Sequence, residues 1–148
     1  MRLTIASIAG RARSVHCDAL VSEYVKRTSA FMPVEVEIFR TSDALFETLD
    51  KQRSRLAPTL LMLDSSGKQW SSEELARWLG RRRDEGQQRI VFAIGPADGW
   101  SQEDHARANL LLSLGPMTLP HELARVVLCE QIYRAFTILS GHPYHTGH

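Results

Sequence analysis

Short apolar runs rich in leucine or β-branched residues alternate along this chain with stretches of helical periodicity, and that alternation limits the fold more than any other feature. Leu3-Thr4-Ile5-Ala6-Ser7-Ile8 reads as a strand ending at Gly10. Ser14 to about Thr28 then carries Val15, Leu20, Val21, Tyr24 and Val25 at helix-like spacing. After Pro33, Val34 to Phe39 alternates as a strand. Ser42 to about Arg55 puts Leu45, Phe46 and Leu49 on one side of a helix, with Lys51, Arg53 and Arg55 complementing the dipole at its end. Thr59-Leu60-Leu61-Met62-Leu63 is apolar without alternation, as a central parallel strand buried on both faces requires. Asp64-Ser65-Ser66-Gly67-Lys68 breaks it.

The second half repeats the pattern. Ser71 and Glu74 have the spacing of a capping box for a helix through Leu75, Trp78 and Leu79. Arg89 to Ile94 is a buried strand closed by Gly95-Pro96. Ser101 with Asp104 offers a weaker cap for a helix around His105 to Leu111. Leu112-Ser113-Leu114 is a last strand-like run, and Pro120 opens a long helix with Leu123, Val126, Val127, Ile132, Tyr133, Phe136 and Leu139 near its apolar side. Five strand-like runs separated by helices predict an α/β fold with a mostly parallel sheet flanked by helices. There is no credible linker, repeat or low-complexity tract.

Charge narrows the function. Eighteen Lys+Arg against seventeen Asp+Glu leave a net charge of +1, which excludes a polybasic binder that grips nucleic acid mainly by phosphate neutralisation. With 148 residues, 43% of them hydrophobic, the chain suits one core that buries roughly two thirds of the unfolded surface. Cys17 and Cys129 sit in apolar periodic segments and read as free, structural thiols. No Cys or His spacing suggests zinc, so no stable metal is expected. The N-terminal run MRLTIASIAGRAR has a short apolar run followed by arginines, the wrong order for a signal peptide. No apolar stretch is long enough for a membrane span, and the expected setting is the cytoplasm.

Ligands in open α/β sheets sit beyond the carboxyl ends of the strands. Residues 63–68, 95–100 and 114–119 therefore form one prospective pocket rim. Gly95-Pro96-Ala97-Asp98-Gly99 either brings backbone groups close to a ligand or merely turns the chain. Met117 and Leu119 either clasp an adenine or close the core. The SSGK at 65–68 lacks the spaced glycines of a phosphate loop. His121 is read as satisfying hydrogen bonds at a helix start. Arg125 and Arg134 are offset by about 180° on one helix, so one is expected to support the fold or a dimer while the other reaches substrate. Arg81-Arg82-Arg83 is either a solvated helix end or a phosphate contact. Trp70, Trp78 and Trp100 do not make the basic-aromatic ladder of single-strand binders; Trp78 is expected in the core or an interface, and Trp100 over a pocket.

The run Ser113-Leu114-Gly115-Pro116-Met117-Thr118-Leu119-Pro120-His121-Glu122-Leu123-Ala124-Arg125-Val126-Val127-Leu128, continuing Cys129-Glu130-Gln131-Ile132-Tyr133-Arg134-Ala135, resembles the C-terminal signature of the RlmH family, SPOUT-class 23S rRNA pseudouridine N3-methyltransferases. Gly141-His142-Pro143-Tyr144-His145 fits the same pattern, as do Leu61-Met62-Leu63-Asp64, Gly67-Lys68, Ser71-Ser72 and Ile94-Gly95. The resemblance covers essentially the whole chain. It implies a single methyltransferase domain over 1–148 with a C-terminal trefoil knot, which periodicity does not show and topology priors disfavour. It further implies a homodimer with its cofactor cleft near the subunit interface, S-adenosyl-L-methionine as methyl donor, and methylation of N3 of a pseudouridine in the helix 69 loop of 23S rRNA on the assembled ribosome. Carried onto this sequence, the cofactor positions are Leu63, Gly95, Leu114, Gly115, Pro116, Met117, Thr118 and Leu119. Arg134, Tyr144 and His145 are the substrate-positioning candidates, with His145 a proton relay. The sequence departs from the family pattern at Gly95-Pro96, at Gly115-Pro116 and at the ending Thr146-Gly147-His148, where relatives carry a terminal cation. The alternatives are a catalytically weakened SPOUT-like ribosome-binding protein and an unrelated nucleotide-binding α/β enzyme.

Overall fold

Hydroxyl side chains start four of the five α-helices. In the computed structural model, which describes residues 1–9, 13–52 and 57–147, Ser14 caps α1 (Val15–Thr28), Thr41 caps α2 (Ser42–Lys51), Ser71 caps α3 (Ser72–Asp84) and Ser101 caps α4 (Gln102–His105). Each accepts a hydrogen bond from a backbone N–H of the first turn, satisfying a donor that the helix leaves free. Ser71 and Glu74 form the expected reciprocal capping box. The last helix, α5 (His121–Ser140), begins at Pro120 with no side-chain cap and ends on Gly141 at φ 75°, a left-handed position that glycine takes without strain. Gly10, Arg53, Arg55 and His148 lie outside the described residues.

Five strands, β1 (Arg2–Ile8), β2 (Val34–Phe39), β3 (Thr59–Gln69), β4 (Arg89–Ile94) and β5 (Leu110–Ser113), make one sheet in the order β2-β1-β4-β3-β5. Every pairing is parallel. Alternate residues feed two cores. Leu3, Ile5, Leu61, Ile90, Phe92 and Ile94 face α1, α3 and α5, while Ala6, Ile8, Leu60, Met62, Val91 and Ala93 face α2 and Trp100. Both faces being covered explains why the central strands read as unbroken apolar runs.

Two sequence expectations change. The helix around His105 to Leu111 is only one turn, Gln102–His105, and Leu110 and Leu111 belong to β5. Asn109 sets that start: its N–H donates to the Leu60 carbonyl, and its side chain accepts from the Leu60 N–H. Nor does β3 stop at Leu63. The polar stretch bulges, and Lys68 and Gln69 rejoin the ladder against Leu112 and Ser113. Gly67 makes this possible, because a Cβ there would stand 2.5 Å from the Leu111 carbonyl carbon.

After β5 the chain reaches α5, which packs against both α1 and α3. On the way, Ser113, Leu114 and Gly115 border one cavity with Leu63, Asp64 and Ser65, and a second with Gln69, Ser71 and Ser72. Residues 113–115 thus lie between the end of β3 on one side and the start of α3 on the other.

Candidate functional site

Because all strands are parallel, their carboxyl ends meet along one edge of the sheet. The turns after β3, β4 and β5 enclose there a cavity of about 320 Å3, within the range of small-molecule sites, roughly 300–1,000 Å3. All eight residues expected to hold the cofactor line it: Leu63, Gly95 and the whole of 114–119. Leu112 and Ile94 form its buried floor. Met117 belongs to the rim and is 85% exposed, so it does not close the core.

Two glycines here have different physical reasons. A Cβ on Gly95 would meet the Trp100 indole at 2.7 Å, so this glycine makes room for the protein's own side chain. Gly115 has open space around it, but its φ of +128° is one that side-chain-bearing residues rarely adopt. Ser113 pins that conformation, its hydroxyl accepting from the Gly115 N–H at 3.2 Å and donating to the Gly115 carbonyl at 3.1 Å. Trp100 is buried against Phe46 and donates its indole N–H to the Leu63 carbonyl. It thus forms a wall of the cavity, in keeping with the expectation that it lies by the pocket.

Polar groups converge on the same space. His121 does not cap its helix: its Nε2 is buried with no hydrogen-bond partner among the described residues, and the ring lines the cavity. The uncapped first turn of α5 adds free backbone N–H donors and the positive end of the helix dipole. Across from it, Asp64 accepts from the Ser66 N–H and hydroxyl and pairs with His105 at 2.6 Å. Burial works to raise the Asp64 pKa, but the Ser66 bonds and His105 outweigh it and hold the carboxyl below its ordinary value. The cavity therefore offers apolar walls, unpaired donors on one side and a carboxylate on the other.

Arg134, Tyr144 and His145 come together elsewhere. Glu130 is their hub, accepting from Arg134 Nε at 3.0 Å and Nη2 at 2.7 Å and from the Tyr144 hydroxyl at 3.1 Å. Arg134 also donates to His145 Nδ1, which leaves the His145 Nε2–H to donate to Glu73 at 2.7 Å. Burial, with Glu130 beside it, pushes the Tyr144 phenol up to about 12. None of the three residues lines the cofactor-sized cavity. At 1.5 Å per residue, about 15 Å of helix axis separates Ala124, on the cavity wall, from Arg134. Neither Glu130, which appears in the sequence only as part of the C-terminal signature, nor Glu73 was expected at the site. Glu130 was signalled only by its i,i+4 spacing to Arg134, and Glu73 by nothing local.

Arg125 turns away from this cluster. It is buried and bonds Asp18 at 3.0 Å and Glu122 at 2.9 Å, tying α5 to α1. The expected division of labour between the two arginines thus has a structural side. Asp98 stands exposed and does not line the cavity that Asp64 borders. Cys129 is buried, and burial pushes its thiol up to about 12, leaving it inert. No helix among the described residues is long and apolar enough to cross a membrane.

Comparison with known proteins adds a family. Residues 1–145 match the family described as "Predicted SPOUT methyltransferase". The chain is 49% identical to ribosomal RNA large subunit methyltransferase H of Koribacter versatilis over 148 residues, 100% of each chain. It is 39% identical to the protein of the same name from Maricaulis maris over 155 aligned positions, covering 98% of this chain and 99% of that one. The Rhizobium meliloti protein of that name is 55% identical over 86 residues, covering 58% of this chain and 54% of the relative.

Proposed function

Since the chain belongs to the ribosomal RNA large subunit methyltransferase H family of SPOUT methyltransferases, we propose that it transfers a methyl group from S-adenosyl-L-methionine to N3 of a pseudouridine in the helix 69 loop of 23S rRNA, on the assembled ribosome and in the cytoplasm. The observation that carries this reading is the cavity at the ends of β3, β4 and β5. It combines an apolar slot with buried, unpaired donors, which fits an adenosine and an amino-acid carboxylate. When bound, S-adenosyl-L-methionine supplies an electrophilic methyl on a sulfonium.

The chain's residues have separable tasks in this reading. Leu63, Leu114 and Leu119 hold the adenosyl portion between apolar surfaces, and the 114–119 backbone approaches it, with Thr118 as a polar contact. His121 and the first turn of α5 face the carboxylate. Asp64, ionised and held by Ser66, lends negative potential at the rim, where a positive ligand gains from it. Excluding water through Trp100 strengthens each of these interactions.

Arg134, Tyr144 and His145 position the target nucleotide. Tyr144 stays a phenol, so it does not accept the base's proton, and donating to the base requires release of its Glu130 contact. His145 has both ring nitrogens engaged, and relaying a proton requires release of the Arg134 or the Glu73 contact. The cluster lies well along α5 from the cavity, which supports a homodimer in which one protomer's cluster serves its partner's cofactor. Val15 and Leu20 on α1 and Leu123 on α5 are left exposed, an apolar surface of the kind that subunit interfaces cover. Residues 1–148 act as one methyltransferase domain.

The test offers the purified chain methyl-labelled S-adenosyl-L-methionine and ribosomes lacking the modification. Label at N3 of the helix 69 pseudouridine is expected. Ribosome binding with no methyl incorporation overturns the enzyme reading in favour of a ribosome-binding protein.

A further inference from the structure

One group of side chains outside both sites has the chemistry of a nucleotide contact. Trp70 at the end of the β3–α3 connection and Trp78 on α3 lie with ring centroids 5.8 Å apart. Together with Glu74, Arg77 and Arg81 they line a cavity of about 260 Å3. Both indoles are half-buried, seated on the core by one edge. Arg82 lies 5.4 Å from the Trp78 ring centroid.

The charges around this cleft are not those of an ordinary solvated helix face. Arg82 and Arg83 pair with Glu85 and Asp84. Arg77 and Arg81, one turn apart, have no hydrogen-bond or ion-pair partner among the described residues. Like charges at i,i+4 disfavour a helix, so the pair is held against a local cost. Glu74 is the one acidic residue lining the cleft, and its carboxylate is taken up by the Ser71 N–H at 2.7 Å. With two unpaired guanidinium groups against that one carboxylate, the cleft is aromatic surface of net positive charge, the combination that binds a single-stranded nucleotide by stacking and phosphate contact. The fold joins the tryptophans to the start of the triple-arginine run.

We propose that the cleft between Trp70 and Trp78 receives an unpaired nucleotide of the large-subunit rRNA outside the methylated loop, its base against the indoles and its flanking phosphates against Arg77 and Arg81. The proposal rests on the rRNA reading of the function and adds a second anchoring point to it. An anchor of this kind supplies local contacts that a net charge of +1 does not supply by bulk electrostatics.

Binding of the full-length protein to unmodified ribosomes is measured across a range of salt concentrations, alongside S-adenosyl-L-methionine affinity and methyl transfer. R77A/R81A is expected to bind ribosomes about tenfold more weakly, with the slope of log affinity against log salt reduced by about two. Its cofactor affinity, melting temperature and kcat at saturating ribosome stay at wild-type values. R77K/R81K keeps the slope. Trp70→Leu, which retains apolar bulk without a stacking face, weakens binding severalfold at unchanged slope. Wild-type methylation with variants indistinguishable from wild type in affinity and slope overturns the nucleotide cleft alone. Lost affinity for ribosomes with unchanged affinity for protein-free 23S rRNA assigns the cleft to a ribosomal protein and also overturns it. A wild type that neither binds nor methylates overturns the functional reading, and this one with it.

Discussion

The Trp100 indole N–H donates to the Leu63 carbonyl at 3.0 Å, and the same ring occupies the space that a side chain at position 95 would need. The turn after β4 is thereby fastened to the end of β3, and the wall of the cavity is set by this one side chain. Trp100→Phe removes the bond and leaves the Leu63 carbonyl without that donor. A stability loss of about 1–2 kcal/mol is expected, with S-adenosyl-L-methionine binding weakened severalfold. Denaturant unfolding and calorimetry on the same preparation measure both. Gly95→Ala acts on the same ring and should reproduce the calorimetric effect.

Gly115→Ala tests conformation in place of space. Nothing lies near the position to clash, but φ of +128° is strained for alanine, at a cost of roughly 1–3 kcal/mol. The 114–119 loop is expected to relax into another shape, so cofactor affinity falls more than the melting temperature does. A variant with unchanged cofactor affinity would show that the loop backbone does not contact the ligand.

If one protomer's cluster serves its partner's cofactor, two inactive variants complement. Arg134→Ala is expected to lower kcat by about 10²–10³ while S-adenosyl-L-methionine binds normally, and Gly115→Val to lose cofactor binding. Heterodimers made by mixing the two carry one intact composite site and regain activity. Absence of recovery in verified heterodimers places the whole site within one protomer.

Acid should unfold the protein through the α1–α5 tie. Asp18 is held below its ordinary pKa by its hydrogen bond from Arg125. At Glu122 burial works upward, and the Ser14 N–H and Arg125 outweigh it. Both carboxyls are thus depressed in the folded state, so their stabilisation is complete above the unfolded values, about 3.9 and 4.3, and is lost as pH falls through the lower folded values. The melting temperature is expected to hold from pH 7 to about pH 5 and to drop below pH 4. Arg125→Met, discounted for the partial exposure of both carboxylates, should cost roughly 2–3 kcal/mol at neutral pH and flatten the acid limb. Thermal unfolding at stepped pH reads both effects.

The strands were legible because a parallel sheet covered on both faces demands apolar runs, and residues 60–63 and 90–94 supply them. Capping residues were legible because they act over three or four positions. The extension of β3 was hidden, since Asp64 to Lys68 reads as a loop in isolation and becomes strand only through pairing with Leu112 and Ser113. The misread helix near His105 failed for a similar reason: Leu110 and Leu111 take their conformation from β3 beside them. Three glycine-bearing turns marked the cavity, because parallel strands bring their carboxyl ends together whatever their order. The ring nitrogen of His121, the Glu130 hub and the meeting of Trp70 with Arg77 depend on helix placement, which no local spacing encodes.

The position of residues 113–115 between the end of β3 and the start of α3 also has a temporal meaning. Each wall of the cavity comes from a different stretch of chain, and the enclosure is complete only when the last of them has docked on the other two. A ribosome-bound nascent chain thus carries a sheet before it carries a pocket. Capacity to hold the methyl donor therefore waits on the C-terminal stretch, and a molecule whose sheet has formed without it is structured yet empty-handed.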